Sequence, residues 1–454
     1  MQLRRRRNGT EVRSVGAGLN EKGEPRERPR PQLTRALASR NYRLFFGGQS
    51  VSLVGTWITR VATSWLVYRI TGSVLLLGIV GFCGQIPTLL LAPFAGVLVD
   101  RWDRHRILVI TQALSLLQSV ALAALTLAGA ITVTHILLLQ LAQGIINAFD
   151  TPARQAFVSE IVEDRSDLPN AIALNSSMVN GSRIIGPSIG GLVIAAVGEG
   201  WCFALDAVSY VAVIGSLRAM RVTPRTLPPR TTRLREELAA GFRYASGFAP
   251  VRSALLLLSL VSVMGMPYSV LMPAMSATVL HGGPHTLGFL MTASGAGALA
   301  GALYLASRRS VLGLGRAMAL AAMTFGVGLV AFSLSRTLWL SLVLLPLVGA
   351  GMMITMAATN TIIQTIVTDD LRGRVMAFYT MAFLGTAPIG SLVAGLAADR
   401  IGPQSTILFG GLSCVVAGGW FAARLPRLRE LVRPIYVERG ILAAAESDGD
   451  AKLL

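Results

Sequence analysis

The segment Gly96–Arg106 is short and highly charged, and two long apolar runs enclose it. It holds three arginines, one histidine and two aspartates. The flanking runs, Val74–Val99 and Ile107–Ala128, each exceed the roughly 20 residues that a helix needs to cross about 30 Å of hydrocarbon. Because this number of charges cannot lie in lipid, the segment must project into water at a membrane surface. Its excess of arginine predicts that this surface is cytoplasmic.

The composition of the whole chain agrees with this interpretation. Of the 454 residues 53% are hydrophobic and 14% are charged, whereas soluble proteins carry about 25% charged residues. A net charge of +18 can indicate a nucleic-acid partner, but here the basic residues lie in alternate loops and in the tails, so we predict none. The three cysteines lie alone in separate apolar runs, so we predict no metal and no cofactor.

The apolar runs predict an all-α polytopic membrane protein with twelve spans. The fourth span is predicted to continue through Asp150–Gln155 beyond the hydrocarbon. The predicted spans are Leu44–Tyr68, Val74–Val99, Ile107–Ala128, Ile136–Phe149, Ala171–Val197, Trp201–Leu217, Leu255–Val279, Leu287–Leu305, Ala317–Leu334, Leu338–Thr361, Val375–Ala397 and Ser405–Ala423.

Arginine is strongly biased to one side of this topology. The connections opposite the Gly96–Arg106 side contain only Arg69, Arg336 and Arg400. An even number of spans also puts both tails on the arginine-rich side, so both termini are predicted to be cytoplasmic. The arginines of that side are Arg101, Arg104, Arg106, Arg154, Arg165, eight between 218 and 252, Arg308, Arg309, Arg316, Arg372 and Arg374.

One long connection divides the spans six and six. We predict a disordered arginine-rich tail over 1–40, a first bundle over 41–220, a linker over 221–250, a second bundle over 251–424 and a tail over 425–454. Helical spacing of Leu234, Leu238, Phe242 and Ala245 predicts an amphipathic helix on the membrane surface, which either tethers the bundles or binds a partner.

An internal repeat supports two related halves. Gly72 and Gly78 return as Gly282 and Gly288, displaced by 210 residues. The motif around Gly96 returns with a displacement of 205, but Leu305 replaces Asp100, so the second half has lost the acidic member.

Polar stripes on three spans predict a central cavity. A polar stripe in a membrane helix faces protein or water, and an arginine at the depth of Arg60 must be solvated or paired. Helix–helix hydrogen bonding is the alternative for the serines and threonines. The residues predicted to line the cavity are Gln49, Ser52, Thr56, Arg60, Gln140, Gln143, Asn147 and Met266. Asp206 is the one acid well inside the apolar zone, and its depth allows an ion pair with Arg60.

Several motifs resemble those of the major facilitator superfamily. Gly96-x-x-x-Asp100-Arg101-x-Asp103-Arg104-x-Arg106 resembles its loop between helices 2 and 3, although the family usually has a second Gly where Asp103 stands. The segments Phe149–Phe157, Asn170–Asn175, Val279–Gly283 and Leu371–Met376 resemble the enterobactin-exporter-like and macrolide-efflux-like branch, known as transmembrane secretion effectors. The resemblance covers about 41–423 and implies two pseudo-symmetric six-helix bundles around a cavity.

The resemblance also implies a function and some residue roles. It implies export of amphiphilic small molecules against protons by alternating access, and we predict a monomer in a bacterial plasma membrane. We predict no enzymatic activity, because the sequence has no metal-ligand set, no phosphate-binding glycine loop and no nucleophile paired with a base. An uncoupled facilitator, an importer and a lipid-flipping or non-transport scaffold remain alternatives. Family positions imply a cytoplasmic gate at Gly96, Asp100, Arg101, Arg104, Arg154 and Arg374. Because Gln140 stands where relatives often have an arginine linked to proton coupling, the route of the proton stays open.

A further motif resembles one found in span five of proton-coupled exporters. Its small residues and proline favour a hinge over a role in coupling. The residues assigned to it are Arg183, Gly186, Pro187, Gly190 and Gly191, with a looser echo at Pro388 in span eleven.

Overall fold

A computed structural model describes residues 32–162, 164–222, 234–308 and 310–442. Most of the predicted arginine-rich tail, the proline-rich start of the linker, Arg309 and the chain after 442 lie outside the described residues. Throughout the described chain the secondary structure is helical, without a strand. The fold predicted from the sequence, an all-helical membrane protein, is confirmed.

The first half contains six long helices in the predicted order. Helix α2 ends at Arg101 and α3 begins at Arg104, so the charged turn is shorter than the sequence predicted. Asp103 shapes this turn, because its carboxylate accepts hydrogen bonds from the backbone N–H groups of His105 and Arg106 and so caps α3. The helices are α1 Arg40–Thr71, α2 Val74–Arg101, α3 Arg104–Leu127, α4 Val133–Ile161, α5 Leu168–Val197 and α6 Glu199–Ala219.

The second half repeats this arrangement after a connecting helix, α7. Gly402, with φ of 81°, breaks the last helical run into two helices. A π-helical turn interrupts α8 at Val261–Gly265, a second forms its last turn at Met275–Val279, and a third interrupts α12 at Met381–Gly385. The helices are α7 Leu234–Gly247, α8 Ala249–Val279, α9 Pro284–Ser307, α10 Leu314–Leu334, α11 Leu338–Ile366, α12 (369–401) and α13 (403–438).

Within the described residues eight helical runs are long and apolar enough to cross a membrane, and the last of them, 70 residues long, holds both α12 and α13. Three other helices, α1, α4 and α5, have the length of a span but not the required apolarity. These are among the helices to which the sequence assigned polar or hinge residues. Lipid cannot surround a span of this polarity completely, so one face of the helix must contact protein or water.

The two halves contact each other mainly along two seams, α2 with α12 and α5 with α9. In the first seam a Cβ built on Gly78 would lie 2.8 Å from the Cα of Gly395. In the second, a Cβ on Gly191 would lie 3.0 Å from the Cα of Gly288. Such approaches require glycine, and all four glycines lie toward the end opposite the arginine-rich turn.

Ion pairs lie at both ends of the first half. Arg104 pairs with Glu160 at 2.5 Å at the arginine-rich end, and Arg69 pairs with Glu199 at 2.7 Å at the other. In the short connection between α4 and α5, hydrogen bonds from Ser166 lower the pKa of the Asp164 carboxyl. The two ion pairs each hold two helices of the first half together, whereas the Asp164–Ser166 contact stabilises the connection itself.

Candidate ligand-binding cavity

A cavity of about 330 Å³ lies between the two halves, alongside the seams. Residues from both halves line it, and their side chains range from guanidinium and carboxylate to thioether. Its volume is at the lower end of the range of about 300–1,000 Å³ that is usual for small-molecule sites. The polar lining residues include Thr56, Arg60, Thr63, Gln118, Gln140, Gln143, Asn147, Arg183, Asp206, Tyr210, Tyr268, Ser269 and Ser294.

The first half supplies the amide and hydroxyl groups of this lining. On α4, the Gln143 side-chain amide donates to Asn147 Oδ1 at 3.2 Å and to Ser115 Oγ of α3 at 3.3 Å. Gln140 and Thr56 also line the cavity, as the polar stripes predicted. A network of this kind holds the amides in fixed directions, so that they can orient a bound polar group.

Two arginines lie against a single tryptophan at the cavity wall. The guanidinium carbon of Arg60 lies 4.5 Å from the centroid of the Trp57 ring, and that of Arg183 lies 5.5 Å from it. Trp57 fits there because Gly186 of α5 lacks a side chain: a Cβ on Gly186 would lie 2.4 Å from the Trp57 Cβ. Both arginines are therefore held by cation–π contacts with the same ring.

Asp206 is the only carboxylate among the residues that line the described cavity. Its Oδ2 accepts hydrogen bonds from the hydroxyls of Thr59 at 2.8 Å and Ser119 at 2.9 Å, and its Oδ1 accepts from Ser209 at 3.4 Å. Gly55 allows this approach, because a Cβ there would lie 2.6 Å from Oδ1. Three helices thus solvate one acid that is only 2% exposed.

The ion pair expected between Asp206 and Arg60 is absent from this conformation of the described chain. Hydroxyl groups satisfy the carboxylate instead, and the guanidinium lies over Trp57. Arg60 and Asp206 both line the cavity, as their similar depth in the membrane predicted, but their side chains contact other partners.

The second half supplies an apolar wall of methionines. Tyr268 and Ser294 add the polar contact of this wall, with their hydroxyl oxygens 2.6 Å apart. The π-turn of α8 ends next to Met266, so it changes the direction of side chains at the cavity. The methionines are Met266, Met272, Met291 and Met352.

Some residues predicted to line the cavity lie elsewhere. Gln49 and Ser52 are buried in α1 outside the cavity lining. Gly48 packs against α6, since a Cβ there would lie 2.2 Å from Ser216 Oγ. This end of α1 is therefore used for packing within the first half.

Those predicted gate residues whose side chains the structure describes do not meet in one contact. Arg154 faces Asp150 of its own helix at 3.8 Å, and Arg104 pairs with Glu160. Arg374 lies against α7, where a Cβ on Gly241 would be 3.0 Å from its Cβ. Asp100 and Gly96 belong to α2 and Arg101 is its exposed last residue; the side chain of Asp100 lies outside the described ones.

The predicted hinge residues of α5 serve as close contacts. Gly186 and Gly190 pack against α1, and Gly191 packs against α9 across the second seam. Pro187 lies inside the continuous helix α5. Pro388 follows the π-turn of α12, so the echo in span eleven does coincide with an irregularity of the helix.

The sequence prediction omitted several of the lining residues named above and gave another of them a different role. Trp57, Gln118, Tyr210 and Tyr268 were not selected, and Arg183 was assigned to a hinge. Two signals were available: Trp57 lies three residues before Arg60 on one helix, and Arg183 is a second arginine inside a span. In the described residues, no three His, Cys, Asp or Glu side chains are grouped as metal ligands.

Comparison with known proteins identifies related sequences along nearly the whole chain. The family described as transmembrane secretion effector matches residues 35–433. The multidrug efflux pump Tap of Mycolicibacterium fortuitum is 31% identical over 386 residues, which cover 83% of this chain and 93% of Tap. The staphyloferrin A transporter of Staphylococcus aureus is 26% identical over 390 residues, which cover 85% and 97%. The macrolide efflux protein A of Streptococcus pyogenes is 24% identical over 390 residues, which cover 82% and 93%.

Solved structures with the same fold are more distant in sequence. A crystal structure of the peptide transporter POT has a TM-score of 0.70 at 12% identity and covers 86% of this chain and 95% of its own. The nucleoside transporter NupG has a TM-score of 0.64 at 14% identity, with 86% and 99% covered. These similarities describe the arrangement of the helices.

Proposed function

Because the chain belongs to the transmembrane secretion effector family of the major facilitator superfamily, we propose that this membrane transporter is a proton-coupled exporter of amphiphilic small molecules. The names of two relatives support export, since one is a multidrug efflux pump and another a macrolide efflux protein, and a third is named a staphyloferrin A transporter. The protein works as a monomer in a bacterial plasma membrane, with both termini in the cytoplasm.

The observation that carries this proposal is a cavity lined by both halves and provided with one carboxylate, Asp206. A ligand held between two bundles is released to one side or the other when the bundles change their contacts. The seams lie toward the end opposite the arginine-rich turn. By the positive-inside rule that end is extracellular, so the conformation is the one that receives substrate from the cytoplasm.

Asp206 is the proposed carrier of the coupling proton. A proton taken from the outside neutralises the carboxylate. The three surrounding hydroxyls can hydrogen-bond to both the charged and the neutral form of Asp206, because a hydroxyl can rotate to donate or to accept. Release of that proton to the cytoplasm restores the charge before the next substrate molecule enters. Binding energy that differs between the two conformations then links proton entry to substrate export.

The gate is proposed to close through Asp100. When the halves meet at the cytoplasmic end, its carboxylate would face Arg154 and the N-terminus of α12, which attracts negative charge. In the present conformation Arg154 is held by Asp150 at 3.8 Å, a contact long enough to be exchanged at little cost. The latch would thus favour the outward-open state.

The direct test is transport in inverted membrane vesicles from a host that lacks its own efflux pumps. A screen for toxic compounds to which the protein gives resistance supplies the substrate. We expect uptake into inverted vesicles to require an imposed proton gradient and to release protons from the lumen. Gradient-independent equilibration would instead show an uncoupled facilitator, and absence of resistance and of flux for every compound would contradict export.

A further inference from the structure

We propose that the cavity binds the anionic group of an amphiphile, a carboxylate or a similarly compact anion, between Arg60 and Arg183. The apolar body of the ligand would lie against Trp57 and the methionine wall. This inference rests on the proposed transport function and specifies the charge of the substrate.

The charges that line the cavity favour an anion. Two cations and one acid line it, and hydroxyl groups already satisfy that acid, Asp206. Neither Arg60 nor Arg183 forms an ion pair within the parts of the chain that the structure describes. The two guanidinium groups lie against the same ring, so their like charges are close together and repel each other. An anion placed between them would relieve that repulsion, whereas a cation would increase it.

Arg183 has free donors for such a ligand. Its Nε and Nη1 are buried and have no hydrogen-bond partner among the described residues. Buried N–H groups without acceptors are unusual in folded proteins. Guanidinium presents its donors in a planar fork that matches the two oxygens of a carboxylate.

The surroundings of the arginines also select the rest of the ligand. Trp57 supplies an aromatic ring that both arginines contact, and Tyr268, whose hydroxyl oxygen lies 2.6 Å from that of Ser294, lines the same cavity. Beyond these groups the wall is formed by Met272, Met291 and Met352, whose flexible thioethers fit irregular apolar bodies.

Equilibrium binding to the purified full-length protein tests this proposal without requiring transport. The probes are 2-naphthoate and its neutral isostere 2-naphthamide, measured by isothermal titration calorimetry in phosphatidylcholine nanodiscs. We expect the carboxylate to bind at least tenfold more tightly than the amide. R60Q and R183Q should each remove most of that preference while leaving the affinity for the amide within about threefold.

The matched control is Arg424→Gln, because Arg424 lies 4.5 Å from the ring centroid of Trp420, a similar arginine–tryptophan pair outside the cavity lining. It should leave the preference unchanged. Equal affinity for the two probes, tighter binding of the amide, no saturable binding of the carboxylate, or a preference that survives in R60Q/R183Q would each overturn the proposal.

A second series identifies the source of the anion. The same titration is repeated in nanodiscs that contain phosphatidylglycerol. If soluble amphiphiles are the ligands, the affinity for 2-naphthoate should stay unchanged. If lipid headgroups enter the site, phosphatidylglycerol should compete and weaken 2-naphthoate binding to the wild type. Because this assay uses no gradient, failure of the exporter proposal would appear in the vesicle assay alone, and failure of the anion proposal in the binding assay alone.

Discussion

The two halves of the molecule share one fold but line the cavity with different chemistry. The first half contributes both arginines, the carboxylate and the amides, whereas the second contributes mainly methionines and small residues. The charged turn shows the same difference, since Leu305 of the second half stands where the first has Asp100. The glycines that pack the seams thus occur in both halves, whereas the charged side chains that line the described cavity belong only to the first half.

Under the proposed function, this difference divides two tasks between the two walls of one cavity. Charge recognition and proton handling need fixed groups, and the first half fixes them by hydrogen bonds and by the Trp57 ring. Tolerance for varied apolar bodies needs side chains that change rotamer at low cost, which methionine provides. Loss of an ionisable group from the first half should therefore damage transport more than rebuilding the second wall.

The largest effect is expected from Asp100→Asn. It removes the charge that the proposed latch requires, so transport should fall to background while the protein still reaches the membrane. Flux in inverted vesicles, normalised to membrane content, measures this. The matched control is Asp103→Asn in the same turn, because asparagine caps a helix about as well as aspartate and the cap of α3 should persist. Normal flux in D100N would remove the latch.

A smaller and more selective effect is expected from Asp206→Asn. Asparagine keeps the shape and can accept from Thr59 and Ser119, but it cannot carry a proton. Gradient-driven transport should fall at least tenfold, whereas exchange of labelled for unlabelled substrate without a gradient should continue. Asp399→Asn, on the exposed end of α12, is the control and should leave both activities intact. Unchanged gradient-driven transport in D206N would assign coupling to another group.

The smallest effect is expected from replacing three methionines of the second wall by leucine, in M272L/M291L/M352L. Leucine conserves apolar surface and nearly conserves volume, so substrate affinity should change by less than about fivefold. Titration of the purified protein with the substrate found in the resistance screen measures this change. An affinity loss as large as that from substituting an arginine of the first wall would abolish the contrast between the two halves.

Much of the fold followed from elementary rules applied to the sequence. Apolar length predicted the helices, and the polar stripes predicted that Thr56, Arg60, Gln140, Gln143 and Asn147 line one cavity. The orientation in the membrane, which rests on the sidedness of arginine, stays a prediction. Helical periodicity shows which face of the helix a side chain lies on, but it does not show whether another helix packs against that face or the cavity lies there. This is why Gln49 and Ser52, on the same stripe of α1, prove to be buried outside the cavity.

The remaining features depend on contacts between distant segments. Asp206 reaches the cavity from α6 because Gly55 leaves space for its carboxylate, a relation that one sequence cannot reveal. The π-turns at Val261–Gly265 and Met381–Gly385 have no simple sequence signature, since they arise where packing competes with the regular helix. Arg183 was assigned to a hinge because its glycine-rich neighbours dominate the local pattern.

The repeated glycines of the two seams have a mechanical consequence. Gly78 and Gly288, which correspond in the repeat, each touch a glycine of the opposite half, Gly395 and Gly191. Main chain rests directly on main chain there, so no interlocked side chains have to be disengaged when one bundle tilts on the other. The two seams therefore allow the bundles to slide on each other, and the internal repeat places one seam on either side of the cavity.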